Sequence, residues 1–190
     1  MYDDQLVRYG SYIFEERRNL VEELVPVFSE YYSLISSGKE TVRLRYISQL
    51  SAGNYAEQLK NSITKDLFLE YTTAGIHKDD LLFEMDGFPV KTLGSQGQQK
   101  SYLVALKLAK FEYIKRKAGL SPVLLLDDIF DKFDTARVEE IIRLVGDSRF
   151  GQIFITDTHK DRLKNILSSH ETEYKLFNIV ENQAVAETDQ

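Results

Sequence analysis

Val123-Leu124-Leu125-Leu126-Asp127-Asp128 is the stretch on which the reading of this 190-residue sequence turns. Four apolar residues without polar alternation suit a strand covered on both faces in a parallel sheet, here predicted over 122–127. Two carboxylates follow directly. They stand at the carboxyl end of the strand, the side of an open α/β sheet where ligands bind.

Outward from this strand, helix and strand alternate. A helix is predicted over 96–117, with Tyr102, Leu106, Ala109 and Tyr113 as its inward stripe and Gly119 as its stop. On the other side come a helix over 135–145 ending at Gly146, a strand over 152–157, a helix from Lys160 to Leu167 and a strand from Tyr174 to Val180. Residues 183–190 are polar and read as a disordered, frayed tail. The fold class is therefore α/β, with parallel strands and flanking helices.

The first third differs. From Leu6 an apolar residue recurs every seventh position (Ile13, Leu20, Val27, Leu34), which is helical spacing and predicts a long helix over 4–36. Pro26 is expected to kink or divide it, since proline removes a backbone donor and clashes with the preceding turn. Two helices meeting near Val25 are one outcome; a core helix or a projecting arm are both open. Val42, Leu44 and Tyr46 alternate with Thr41, Arg43 and Arg45 as a half-buried strand with a basic outer face. Helical spacing returns over 54–70 with Asn54 as N-cap. Leu81–Met85, Asp86-Gly87 and Phe88–Leu93 then read as a hairpin, its second strand at an edge because of Pro89. The expected division is a helical segment with one short strand over 1–70, a head over 71–182 and the tail.

Composition sets the outer limits. With 43% hydrophobic and 28% charged residues and a net charge of −6, the chain reads as folded and soluble rather than polybasic or membrane-bound. It has no cysteine, so disulfide frameworks and thiolate zinc sites are excluded. No run of 18 apolar residues occurs and Met1-Tyr2-Asp3-Asp4 lacks a signal-peptide pattern, so a cytoplasmic location is expected. The acidic balance argues against a stand-alone DNA binder, because phosphate contacts need clustered Lys and Arg.

Two groups of residues carry chemistry. Asp127 and Asp128 suit Mg²⁺ coordination and the orientation of an attacking water, or they cap the following loop. Ser95-Gln96-Gly97-Gln98-Gln99 opens a helix, where free N–H groups and the helix dipole favour a phosphate; Ser95 as a plain N-cap explains the same residues.

Order and spacing add what neither group carries alone. Ser-x-Gly-Gln at a helix start, an apolar strand ending in Asp-Asp, Phe133-Asp134, a second helix and a second strand together resemble the ABC-type ATPases. Ser95 to Gln99 with Ala105-Leu106-Lys107-Leu108-Ala109, and Leu124 to Phe130, resemble the RecF family specifically. Thr72-Thr73-Ala74-Gly75-Ile76-His77-Lys78-Asp79-Asp80 is similar to a RecF segment written T-x-x-G-P-H-R-D-D, with Ile76 for its proline and Lys78 for its arginine. The resemblance implies that Ser95, Gln96, Gly97 and Gln98 form the signature that touches ATP held by a partner subunit. It implies Asp127 as the Walker-B magnesium carboxylate, Asp128 as the carboxylate that positions water, and Asp134 as the D-loop aspartate at the subunit interface. Either Asp157 or His159 falls at the switch position. It further implies binding of DNA at single-strand/double-strand junctions, work with RecR and RecO in loading RecA, an ATP-dependent homodimer, and roles in replication, recombination and the SOS response.

One part is missing. A P-loop, Gly-x-x-x-x-Gly-Lys-Ser/Thr, occurs nowhere; the nearest string is Gly38-Lys39-Glu40. The chain thus resembles the C-terminal portion of a RecF-type protein, and by itself is not expected to hydrolyse ATP. The alternatives are a metal-dependent nuclease or phosphatase built on Asp127, Asp128, Asp131 and Asp157, which leaves Ser95 to Gln99 unexplained, and a non-catalytic interaction module.

Overall fold

Residues 2–128, 130–131, 133–158, 160–168 and 173–187 are described by the computed structural model of the chain. They form two compact units, Met1–Leu120 and Ser121–Gln190. The division thus falls at 120, not at the expected 70. The strand expected in the helical segment pairs with one expected in the head, and ladder hydrogen bonds make them one unit.

The first unit is organised by helix α1 (Tyr2–Ser36), whose buried side includes Phe14, Val21, Leu24, Phe28, Tyr32 and Ile35 at helical spacing. Pro26 lies inside it and does not divide it, contrary to the two-helix outcome. A mid-helix proline costs about 3 kcal/mol. Buried residues on both sides of Pro26, Val21 and Leu24 before it and Phe28 and Tyr32 after it, offset that cost by packing. The helix is core over most of its length. Its first turns differ, since Tyr2, Leu6, Tyr9 and Tyr12 are exposed.

Strand β1 (Val42–Ile47) pairs antiparallel with β2 (Asp80–Met85), Val42 opposite Met85 and Ile47 opposite Asp80. Between them, helix α2 (Tyr55–Leu69) is capped by Asn54, whose side chain accepts from the Glu57 N–H at 3.2 Å. Asp86 and Gly87 both have positive φ, 50° and 84°, as a tight primed turn requires. The returning strand β3 is only Phe88–Pro89, not 88–93, and a short helix α3 (Val90–Leu93) follows. Pro89 has no N–H to continue the ladder, and its φ of −61° leads into a helical turn. Helix α4 (Gln96–Ala118) then runs to Gly119, whose φ of 67° is the left-handed stop expected of glycine.

The segment 72–80 is strapped down rather than looped out. Thr73 donates to Asp66 through both N–H and hydroxyl, at 2.9 and 2.6 Å, and Gln49 holds the Thr73 carbonyl and the Gly75 N–H. Arg17 donates to the Ile76 carbonyl and to Asp79, and Tyr46 donates to the same Asp79 oxygen. Gly75 is obligatory: its φ is 134°, and a Cβ there would lie 2.3 Å from the Tyr55 hydroxyl. His77 is held to the Thr72 carbonyl at 2.8 Å, a structural contact.

In the second unit, β4 (Leu124–Leu126) lies parallel to β5 (Ile153–Ile155), Leu126 opposite Ile155. Helices α5 (Thr135–Val145) and α6 (Lys160–Ser168) contribute Val138, Ile141, Leu163 and Ile166 to the buried core. Only one face of the pair is covered among the described residues: Leu124 and Leu126 are buried, whereas Leu125 and Phe154 are 62% and 50% exposed. The expected frayed tail contains a strand instead. β6 (Phe177–Val180) and β7 (Gln183–Ala186) form an antiparallel hairpin through Glu181 and Asn182, both at positive φ. Exposure concealed β7: Ala184, Val185 and Ala186 are small or apolar, but all four of its side chains are exposed and its pairing is carried by main-chain hydrogen bonds.

Asp79 has a side chain only 3% exposed, against 45% for its partner Arg17. Removing the cation leaves a buried carboxylate with Tyr46 as its remaining partner, so Arg17→Ala should lower unfolding stability by about 2–3 kcal/mol. Urea denaturation of the variant, with Glu15→Ala as a surface control within about 0.5 kcal/mol of wild type, checks this.

Candidate functional site

Ser95 is the N-cap of a 23-residue helix and closes a capping box. Its Oγ accepts from the Gln98 N–H at 3.2 Å, and Gln98 Oε1 accepts from the Ser95 N–H at 2.7 Å. The plain-cap reading of Ser95 is thus realised, and it leaves the residue exposed at the dipole-positive helix end. The other end of the Gln98 amide donates to Glu40 Oε1 at 2.9 Å, while the Tyr32 hydroxyl donates to Glu40 Oε2 at 2.5 Å. Gln99 reaches back to the Gly94 carbonyl at 2.8 Å. Two glutamines, Gln98 anchored on the Glu40 carboxylate and Gln99 on the Gly94 carbonyl, therefore lock the turn that presents Ser95, Gln96 and Gly97.

Behind this turn, Tyr102 anchors the helix. Its ring lies 4.5 Å from that of Phe28, 5.8 Å from Tyr32 and 5.6 Å, edge-on, from Phe83, and its hydroxyl donates to the Arg43 carbonyl at 2.8 Å. Burial pushes the Tyr102 hydroxyl well above the usual phenol range, with the charge of Glu84 adding to the shift.

The acidic pair sits where the strand ends. Asp127 and Asp128 follow β4 and are exposed, and Asp128 has φ of 44°, a left-handed conformation that aspartate tolerates better than most residues. The register sets Asp127 beside Thr156, the first residue after β5. The Thr156 N–H donates to the Leu126 carbonyl at 3.0 Å, its hydroxyl donates to Asp127 Oδ1, and the same hydroxyl accepts from the Asp128 N–H at 3.0 Å. Sequence reading passed over Thr156 as part of the stretch before His159. The signal that identifies it is the parallel register, a hydroxyl one step beyond the partner of Leu126.

Asp134 caps α5, accepting from the Arg137 N–H at 2.8 Å, and stays exposed with Arg137 Nε 3.5 Å from its second oxygen. His159 lies outside the described residues; Asp157 is partly buried just past the end of β5. Ser95 to Gln98 belong to the first unit, and Asp127, Asp128 and Asp134 to the second. Among the described residues, no three acidic or histidine side chains gather closely enough to hold a metal ion. The four-aspartate two-metal cluster is therefore not formed by Asp127, Asp128, Asp131 and Asp157. The basic groups are largely engaged: Arg45 with Glu84, Arg116 and Lys117 with Glu23, and Lys164 with Glu187.

Comparison with known proteins converges on one group. The DNA replication and repair protein RecF of Flavobacterium johnsoniae is 48% identical over 179 residues, which is 94% of this chain and 50% of that protein. RecF of Bacteroides fragilis is 44% identical over all 190 residues, 51% of its length. The chain belongs to the RecF family. It spans about half the length of the curated RecF proteins it matches and corresponds to their C-terminal half. A solved structure of the recombination mediator protein RecF with ATP, of the RecFOR pathway, superposes with a TM-score of 0.75 at 28% identity, covering 98% of this chain and 50% of that one. An SMC ATPase structure, at 16% identity and a TM-score of 0.56, covers 92% of this chain and shares its fold. The architecture is thus that of an ABC-ATPase-like head. No protein-family model matches the sequence.

The anchoring of helix α4 by Tyr102 has a pH signature. Tyr102 is neutral in both folded and unfolded states below about pH 10; above that the unfolded chain ionises first, so stability falls as pH rises toward the elevated folded value. Tyr102→Phe should cost about 1 kcal/mol at neutral pH, through the lost hydrogen bond to Arg43, and flatten the alkaline decline. Chemical denaturation between pH 7 and 11 measures both effects.

Proposed function

We propose that this chain supplies the signature and Walker-B part of a RecF-type ATPase that acts on DNA in gap repair. The observation that carries the reading is the exposed Asp127-Asp128 pair at the carboxyl end of a parallel strand, within a chain related to RecF over almost its whole length. In this reading Ser95, Gln96, Gly97 and Gln98 approach the terminal phosphate of ATP held by a second subunit. The exposed helix start suits that task, because its N–H groups and dipole favour an anion. The capping box keeps Ser95 placed before any nucleotide arrives.

Asp127 is the residue that would hold Mg²⁺. One exposed carboxylate fits a hard cation that retains several waters and takes its remaining ligands from phosphate oxygens. The metal would neutralise charge on the phosphates. Asp128 would orient the attacking water, and Asp134, exposed at the start of α5, would meet the partner subunit. DNA binding, ATP-driven homodimerisation and cooperation with RecR and RecO in RecA loading enter with the family, supported by the RecFOR assignment of the solved relatives. A cytoplasmic site of action likewise enters with the family; among the described residues no helix is long and apolar enough to cross a membrane.

Phosphate binding by a P-loop lysine supplies most of the direct hold on nucleotide, and the sequence has no such motif. On a sizing column the 190-residue chain should elute identically with and without Mg-ATP; an ATP-induced dimer overturns the half-site reading. In a RecF-length polypeptide carrying this segment, Asp127→Asn should reduce ATP turnover at least about 100-fold. Wild-type turnover in that variant removes Asp127 from the magnesium role.

A further inference from the structure

We propose that Thr156 is a positioning residue of the Walker-B site, setting the geometry of both acidic residues through one hydroxyl. The inference rests on the reading of Asp127 and Asp128 given above and extends it to a residue on the neighbouring strand. Three observations carry it. First, the β4–β5 register continues one step past the strands, the Thr156 N–H donating to the Leu126 carbonyl at 3.0 Å, so Thr156 is fixed by main chain directly beside Asp127. Second, its Oγ1 donates to Asp127 Oδ1 and accepts from the Asp128 N–H at 3.0 Å, so the hydroxyl's one proton and one of its lone pairs are used on adjacent residues. Third, Asp128 occupies a left-handed conformation, φ 44°, which costs an L-residue energy and persists only where the surroundings hold it.

The consequence is geometric. A carboxylate that accepts a hydrogen bond from Thr156 on one oxygen is restricted in rotation, and presents a defined edge to a cation. The Asp128 N–H, captured by Thr156 Oγ1, holds the turn that aims the Asp128 side chain. Neither effect needs Thr156 to touch nucleotide. Serine retains both hydrogen bonds, whereas valine matches the shape of threonine and retains neither.

The test compares Thr156→Val and Thr156→Ser in a RecF-length polypeptide carrying this segment, beside Asp127→Asn. Thr156→Val should lower kcat about 10- to 100-fold, raise the Mg²⁺ concentration for half-maximal turnover, and leave the KM for ATP within about threefold. Thr156→Ser should stay within about threefold of wild type in all three. An independent readout uses the 190-residue chain itself: the Asp128 amide should exchange with deuterium about tenfold faster in Thr156→Val, while buried amides of α5 are unchanged. Wild-type kcat and Mg²⁺ dependence in Thr156→Val, with Asp127→Asn inactive, overturns the role of Thr156 alone. Full activity of Asp127→Asn overturns the site reading beneath it. An unchanged Asp128 exchange rate removes the hydrogen bond on which the positioning depends.

Discussion

Tyr102 is the side chain through which the first unit holds together. Its ring meets Phe28 and Tyr32 from the long N-terminal helix and Phe83 from the sheet, and its hydroxyl closes on the Arg43 carbonyl of the sheet's first strand. A buried aromatic contributes area on every side of its ring, and tilted or edge-on contacts of this kind add about 0.5–1.5 kcal/mol each beyond area burial. Helix α1, the sheet and helix α4 therefore meet on one residue seven positions after Ser95. Presentation of the helix start is a by-product of core packing.

The same economy governs the acidic strand end. Two short parallel strands of three residues each set the position of Asp127, because their register determines which residue lies beside it. A slip of one residue would replace the Thr156 hydroxyl by the Ile155 side chain and send every strand residue to the opposite face. The exposed Leu125 and Phe154 mark the face on which the described residues place nothing, while Leu126 and Phe130 face the buried side. Order at the strand end comes from main-chain hydrogen bonds and one hydroxyl, since Asp127 and Asp128 themselves bury little.

In the proposed reading, helix capping and ligand or partner contact fall on the same residues, and exposure makes the two compatible. Ser95 and Asp134 both satisfy N–H groups of their own helices, yet both remain exposed and retain acceptor capacity on the helix-start side. A cap whose geometry is already set meets a ligand or a partner surface at little entropic cost. That is the physical sense in which the cap reading and the phosphate reading of Ser95 are compatible.

Sequence alone determined the α/β class, the caps at Asn54 and Ser95, the stops at Gly119 and Gly146, and the acidic end of the central strand. These are local matters: apolar runs, helical spacing and side chains that bond backbone within three residues. It also carried the family, because the RecF resemblance lies in contiguous residues. Tertiary structure decided the rest. Pro26 stayed inside one helix because packing on both sides outweighed its local cost; β7 formed from four exposed residues because main-chain pairing does not show in composition; the 72–80 segment was pinned by Arg17, Gln49 and Asp66. Thr156 became part of the acidic site through strand register, which depends on residues 29 and 28 positions apart meeting across a ladder, and no local pattern encodes that meeting.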